Sequence, residues 1–223
     1  DSSSFLPLIG SFGKEVICGI GRISGLFVGI VANVQGLVYE KHVQKLGGVL
    51  YKEGVIKLSI FSRTCNDDGI PIIWIQDVSG FDVGIKAEKI GLLSFGSSLI
   101  YTNSNNTVPM FTILLRKASG AGYYAMCGKP YDPVIQICIP LSRLAVMEGE
   151  TLAVGTFRAK LDSKFNIKTK NLDEKKIIEQ QMLTLANTIE KDMSPYLAAN
   201  HLYVDEIIKV NEIRKYFKYF IEA

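Results

Sequence analysis

The sequence predicts an α/β protein of stacked strand–helix units, and three observations carry that expectation. Almost wholly apolar runs of strand length stand at 70–76 and 110–115, as expected of strands covered on both faces. Segments with apolar residues at helical spacing follow each of them. The two kinds alternate from residue 70 to 157, the pattern of a largely parallel sheet flanked by helices.

Bulk composition narrows the class. With 223 residues, 48% hydrophobic and 21% charged, the chain can build one good-sized core and is not of disordered type. A net charge of +3, without an aromatic-interleaved basic patch, gives no reason to expect nucleic acid. No apolar run approaches the roughly 20 residues of a membrane helix. Cys18, Cys65, Cys127 and Cys138 form no CxxC pair. Buried free thiols in a reducing, cytoplasmic setting are therefore expected, rather than a disulfide framework or a metal site. The opening DSSSFLPL lacks a Met and a signal pattern and reads as the interior of a longer protein.

The elements are read in order. Residues 15–23 and 26–31 are rich in Val, Ile and Phe and meet at Ser24-Gly25, which predicts a hairpin. GIGRISG within it is not a dinucleotide fingerprint, because a second strand-like run follows instead of a helix. Residues 47–65 carry Val49, Leu50, Ile56, Phe61 and Cys65 at helical spacing, stopped by Asn66-Asp67-Asp68-Gly69. IPIIWIQ (70–76) is a buried strand, 77–81 a loop leaving it, and 85–101 a helix ended by 103–106. A strand at 110–115, a tight turn at Gly120-Ala121-Gly122 and the first turn of a helix follow. Further strands are read at 134–139 and 143–147, then a helix from about 151 to 157. Residues 160–176, dense in Lys, Asp and Asn, form an exposed connection. A helix over 172–193 presents Ile177, Met182, Leu185 and Ile189 on its apolar side. Ser194-Pro195 starts a short helix, 204–210 is a strand or helix edge, and 214–221 a closing helix.

Few residues offer acid–base chemistry. His42 and His201 sit in polar, loop-like sequence and read as exposed. KASGAG is not the G-x-S-x-G nucleophile elbow, so Ser119 shapes the turn instead of attacking an acyl group. Asp77 and Asp82 flank a loop at a strand's C-terminal end. Such loops carry ligand contacts in α/β proteins, yet Asp77 equally suits a turn cap. Glu148 and Glu150 suit the start of the helix that follows. Arg116 and Lys117 either meet an anion or are solvated. The remaining candidate is main chain. A strand–turn–helix junction at Gly120-Ala121 aims unpaired N–H groups at one spot, where small side chains admit a ligand and developing negative charge on an oxygen can be held.

At this point a resemblance can be named. GIVANVQG, IPIIWIQDVSGFDVG, VPMFTILLRKASGAGYYAM, LAVMEGE and SPYLAANHLYVDEII occur in order. Together they resemble the C-terminal half of the carboxyltransferase of biotin-dependent acyl-CoA carboxylases and decarboxylases. The 74–77 run, GGVLYKEGVIK and LRKAS are most similar to the glutaconyl-CoA decarboxylase α type, and GAGYYAMCGKPYDP to the methylcrotonyl-CoA carboxylase β type. The resemblance implies a crotonase-like fold of ββα spiral turns, with residues 1–223 as one C-terminal domain. It implies carboxyl transfer between biotin, carried on a separate protein or domain, and an acyl-CoA substrate through an enolate, with no protein base. The N–H groups of Gly120 and Ala121 would hold the ureido oxygen. Ser119, Gly122, Tyr124, Gly80 and Phe81 would line the biotin and substrate site, with Tyr124 facing the acyl group. Ala121 departs from the Gly-Gly common in the family, and Tyr124 from the acidic residue of many carboxylases. Implied partners are an N-terminal CoA-binding carboxyltransferase domain, a biotin carrier protein, a second copy in a dimer or higher oligomer, and for a decarboxylase a membrane subunit. A hydratase or isomerase of the same fold, which needs a positioned acid or base, and a non-catalytic assembly domain are the alternatives.

Overall fold

The computed structural model describes residues 1–40 and 43–222; His42 lies outside them. Strands β1 (Leu6–Leu8), β2 (Val16–Ile23) and β3 (Leu26–Asn33) open the chain. The predicted hairpin joins β2 and β3 in antiparallel register, with Ile23 opposite Leu26. Ser24 and Gly25 both take positive φ, 52° and 85°, as the right-handed twist of two paired strands favours. Strands β4 (Leu37–Glu40) and β5 (Val43–Leu46) pair as a separate antiparallel arm.

The segment 47–65 is not helical from its start. Gly48 turns the chain at φ 75°, Val49–Leu50 form β6, and helix α1 runs over Lys52–Asp67. Then β7 (Ile72–Val78) carries the apolar run past its expected end. The expected loop at 77–81 is instead the end of β7 followed by β8 (Gly80–Phe81), which pairs in parallel with β6. The single helix expected over 85–101 is two, α2 (Ile85–Lys89) and α3 (Leu92–Ser104). Gly91, left-handed at φ 77°, makes the break.

Strand β9 spans Met110–Ser119, longer than its apolar run, and α4 is Gly120–Ala125. After them come β10 (Ile135–Cys138), β11 (Arg143–Ala145) and α5, which starts at Gly149 and ends at Thr156. Helix α6 is Leu172–Asp192, capped by the Asn171 side chain. Its buried residues are Ile178 and Ala186, whereas Ile177 is exposed; the apolar stripe is rotated by about one residue from the expected one. Helix α7 (Pro195–Asn200) has Pro at its first position, β12 (Glu206–Ile207) follows, and α8 (Ile213–Glu222) closes the chain. The connection 160–176 is mostly exposed, apart from the buried Leu161.

The main sheet has the order β1-β2-β3-β7-β9-β10-β12, with β11 added beside the far end of β9. From β3 to β12 every neighbouring pair is parallel. Side chains of β7 alternate between two cores, as a doubly covered strand requires. Ile72, Trp74 and Val78 pack with α1, α3 and the end of α4. Ile73 packs on the other face with Phe111, Ile137 and Phe220. Phe111 meets Phe217 edge-on at 5.2 Å and Phe220 at 5.3 Å, which seats α8 on that face.

Candidate active site

The site is built where β9 gives way to α4. Ser119 is extended (φ −112°, ψ 135°), and Gly120 turns the chain at φ 53°, a conformation that L side chains rarely take. A Cβ at residue 120 would stand 2.9 Å from the Val146 carbonyl oxygen. At residue 122 it would stand 2.8 Å from both Gly80 Cα and a Val78 methyl. Those two glycines let α4 lie against β8 and the loop after β11. Among the described residues, no turn, loop, cap or side-chain hydrogen bond is donated by the N–H of Gly120, Ala121 or Gly122. They are the orphan donors of a helix start.

The opposite end of α4 is fixed by buried polar side chains. Asn103 of α3 donates to the Ala125 carbonyl at 2.8 Å. Gln76 of β7 donates to that of Met126, and Thr112 of β9 donates to that of Cys127 at 2.6 Å. Gln76 and Thr112 are fully buried and Asn103 nearly so. Three elements therefore hold the short helix from behind, leaving only its N-terminal donors unengaged. Such rigid support is what an electrostatic site requires.

Those donors border a cavity of about 820 Å³, lined by Gly120, Ala121, Tyr123, Tyr124, the 144–146 segment and α7. On its other side Ala121 borders a groove of about 330 Å³ between Phe81 and α3. Tyr124 packs on Tyr131, ring centroids 4.8 Å apart, and burial pushes the Tyr131 phenol upward, keeping this wall uncharged. The Tyr123 oxygen accepts from the Lys129 N–H and from Gln136 Nε2, both at 2.9 Å. Lys129 Nζ is paired with Asp205 at 2.7 Å.

The structure brings Gly80, Phe81, Gly120, Ala121, Gly122 and Tyr124 together. Ser119 is different from its expected turn-shaping role: its hydroxyl is buried without a hydrogen-bond partner, behind the donors. Asp77 caps no turn. Its carboxylate accepts from the Lys117 N–H at 3.0 Å and pairs with Arg116 at 3.2 Å, tying β7 to β9 beside the register shift at 76–78. Lys117 Nζ pairs with Glu148 at 2.5 Å, so Glu148 makes no side-chain cap to α5. Arg116 and Lys117 are thus ion-paired and not anion sites. Asp82 accepts from its neighbour Val83 N–H. His201 is exposed as expected, stacked on Tyr203, yet it stands on the cavity wall. Gln76, Asn103 and Thr112 were not singled out from sequence; a glutamine ending an apolar strand was the available signal.

The carboxyl transferase domain family matches residues 1–223. The chain belongs to this family. It is 36% identical to the glutaconyl-CoA decarboxylase subunit alpha of Acidaminococcus fermentans, over 100% of this chain and 39% of that relative. It superposes on the P. aeruginosa geranyl-CoA carboxylase beta subunit with TM-score 0.84 at 25% identity, covering 100% of this chain and 39% of the other. The transcarboxylase 12S structure, described as a hexamer assembly, gives 0.81 at 26% identity with the same coverage. The chain thus spans about two fifths of the length of these relatives, and its fold is the crotonase-like ββα spiral of carboxyltransferases. These matches do not favour a hydratase or isomerase.

Proposed function

We propose that this chain contributes the biotin-side half of an acyl-CoA carboxyltransferase centre, moving CO2 between biotin and an acyl-CoA. The observation that carries the reading is the pair of unengaged N–H groups at Gly120-Ala121, held from behind and opening on a cavity. The residues fit biotin's ureido oxygen in kind. A Cβ at 120 would fill the cradle, and the methyl of Ala121 is the bulkiest side chain on the donor pair. Biotin, when bound, supplies the carboxyl carrier. Gly120 and Ala121 donate to the oxygen that gains negative charge, each donor contributing about 2.7–4 kcal/mol in comparable sites. Gly80 and Phe81 flank the turn on the groove side, and Tyr124 on the cavity side faces the acyl group. Ser119 and Gly122 set the path of the main chain behind them. No protein base enters the scheme, consistent with the ion-paired or locally bonded Asp77, Asp82 and Glu148.

The reading further holds that a CoA-binding domain, a biotin carrier protein and a second copy complete the machine. Exposed Val83, Leu93 and Val146 beside the two pockets support covering partners. No described helix is long and apolar enough to cross a membrane. We place the protein in the cytoplasm, with a membrane decarboxylase subunit as its partner if it runs in the decarboxylating direction. The test is carboxyl transfer by the full-length protein with biotinylated carrier and a panel of acyl-CoAs. Transfer to or from biotin supports the reading. Folded protein that transfers nothing, or that hydrates an enoyl-CoA without biotin, overturns it.

A further inference from the structure

We infer that the cavity beside Ala121 selects a neutral, apolar acyl chain longer than propionyl, and disfavours an acyl group ending in a second carboxylate. The inference rests on the carboxyltransferase reading and names its substrate class.

Three observations carry it. The first is size: about 820 Å³ is far more than a two- or three-carbon acyl group needs, and lies in the range of pockets for larger ligands. The second is lining. Leu144, Val146, Pro130, Leu197, Ala198 and the Tyr124 ring make an apolar wall. Burying a chain against such a wall gains affinity with every methylene. The third is charge. A chain ending in a carboxylate needs a cation inside the cavity. Lys129 is the only Lys or Arg among the lining residues, and its ammonium is already joined to Asp205 at 2.7 Å. Asp192 adds a carboxylate to the same wall. His201 stands on the solvent-exposed end of α7, its ring laid on Tyr203. The phenol oxygens do not compensate: Tyr123 already accepts two N–H groups. The cavity therefore rewards length and apolarity and offers a distal carboxylate no free cation.

This separates the chain from the relative named for glutaconyl-CoA, whose acyl group is a dicarboxylic one. The decisive comparison is pentanoyl-CoA against glutaryl-CoA, which share chain length and differ in the terminal carboxylate. Binding of acetyl-, pentanoyl-, hexanoyl- and glutaryl-CoA to the full-length protein is measured by calorimetry, and carboxyl transfer with biotinylated carrier is measured alongside. Affinity is expected to rise about three- to fourfold per methylene from acetyl to hexanoyl, with glutaryl-CoA at least tenfold weaker than pentanoyl-CoA. Leu197→Arg, which places a cation on the wall, is expected to reverse the pentanoyl–glutaryl preference. Equal affinity along the chain series, or tighter binding of glutaryl-CoA by the unmodified protein, overturns the inference. Chain-length-dependent binding with no transfer to or from biotin supports the inference about the cavity while defeating the carboxyltransferase reading.

Discussion

At the scale of single residues, the site depends on what side chains omit. Gly120 needs its left-handed φ and the space before Val146, and the functional groups are its own N–H and that of Ala121. Ser119 beside them carries a buried hydroxyl with no partner. Leaving such a group unsatisfied costs about 1–3 kcal/mol, so Ser119→Ala is expected to leave the unfolding midpoint unchanged or raise it. A clear drop in urea denaturation would show that the hydroxyl has a partner. Glu15 makes a second residue-level prediction. It is fully buried, one oxygen accepts from the Gly54 N–H at 3.0 Å, and the other has no partner. Burial, the largest influence, pushes its carboxyl above the ordinary 4.5. A raised acid is protonated more readily in the folded than in the unfolded state. Its contribution is therefore fully present below pH 4.5 and lost as pH rises through the raised folded value. Glu15→Gln should gain stability relative to the unmodified chain as pH climbs from 4.5 to neutrality, read from denaturant melts. A difference that is flat with pH, or of opposite slope, would contradict this.

At the scale of elements, α4 is a six-residue helix that could not persist alone. Its carbonyls are held by Gln76, Asn103 and Thr112 from three other elements. Gln76→Leu would leave the Met126 carbonyl without its donor, and is expected to cost about 1–3 kcal/mol and to lower kcat more than it changes KM. An unchanged unfolding midpoint with unchanged kcat would mean that α4 is held otherwise. The elements also show what the sequence made legible. The hairpin at 24–25, the doubly covered β7 and the turn at 120–122 were readable because each has a local cause: turn residues, an unbroken apolar run, clustered small residues. What escaped was set by partners distant in sequence. Val49–Leu50 fit a helix in spacing but pair with Gly80–Phe81. Glu148 sits at a helix start, where its charge is favoured, but is taken by Lys117. The three residues that anchor α4 lie at 76, 103 and 112, too far apart to announce themselves as a set.

At the scale of the whole molecule, a twisted, mainly parallel sheet packed on both faces presents one helix start to solvent-accessible space. The family resemblance was legible across the full length because its motifs are the sheet ends and turns that shape this junction. The size and charge of the cavity were not, since α7, the 144–146 segment and α4 converge only in three dimensions. The central claim is that the main-chain donors of Gly120-Ala121 are the reaction's oxyanion site, and Ala121→Pro tests it most directly. Proline removes the N–H at a first-turn position, where no intrahelical bond is lost. In the full-length protein with biotinylated carrier, kcat for carboxyl transfer is expected to fall about 10²–10³-fold while the thermal midpoint stays near that of the unmodified protein. A folded Ala121→Pro protein that transfers carboxyl groups at the unmodified rate would contradict the account.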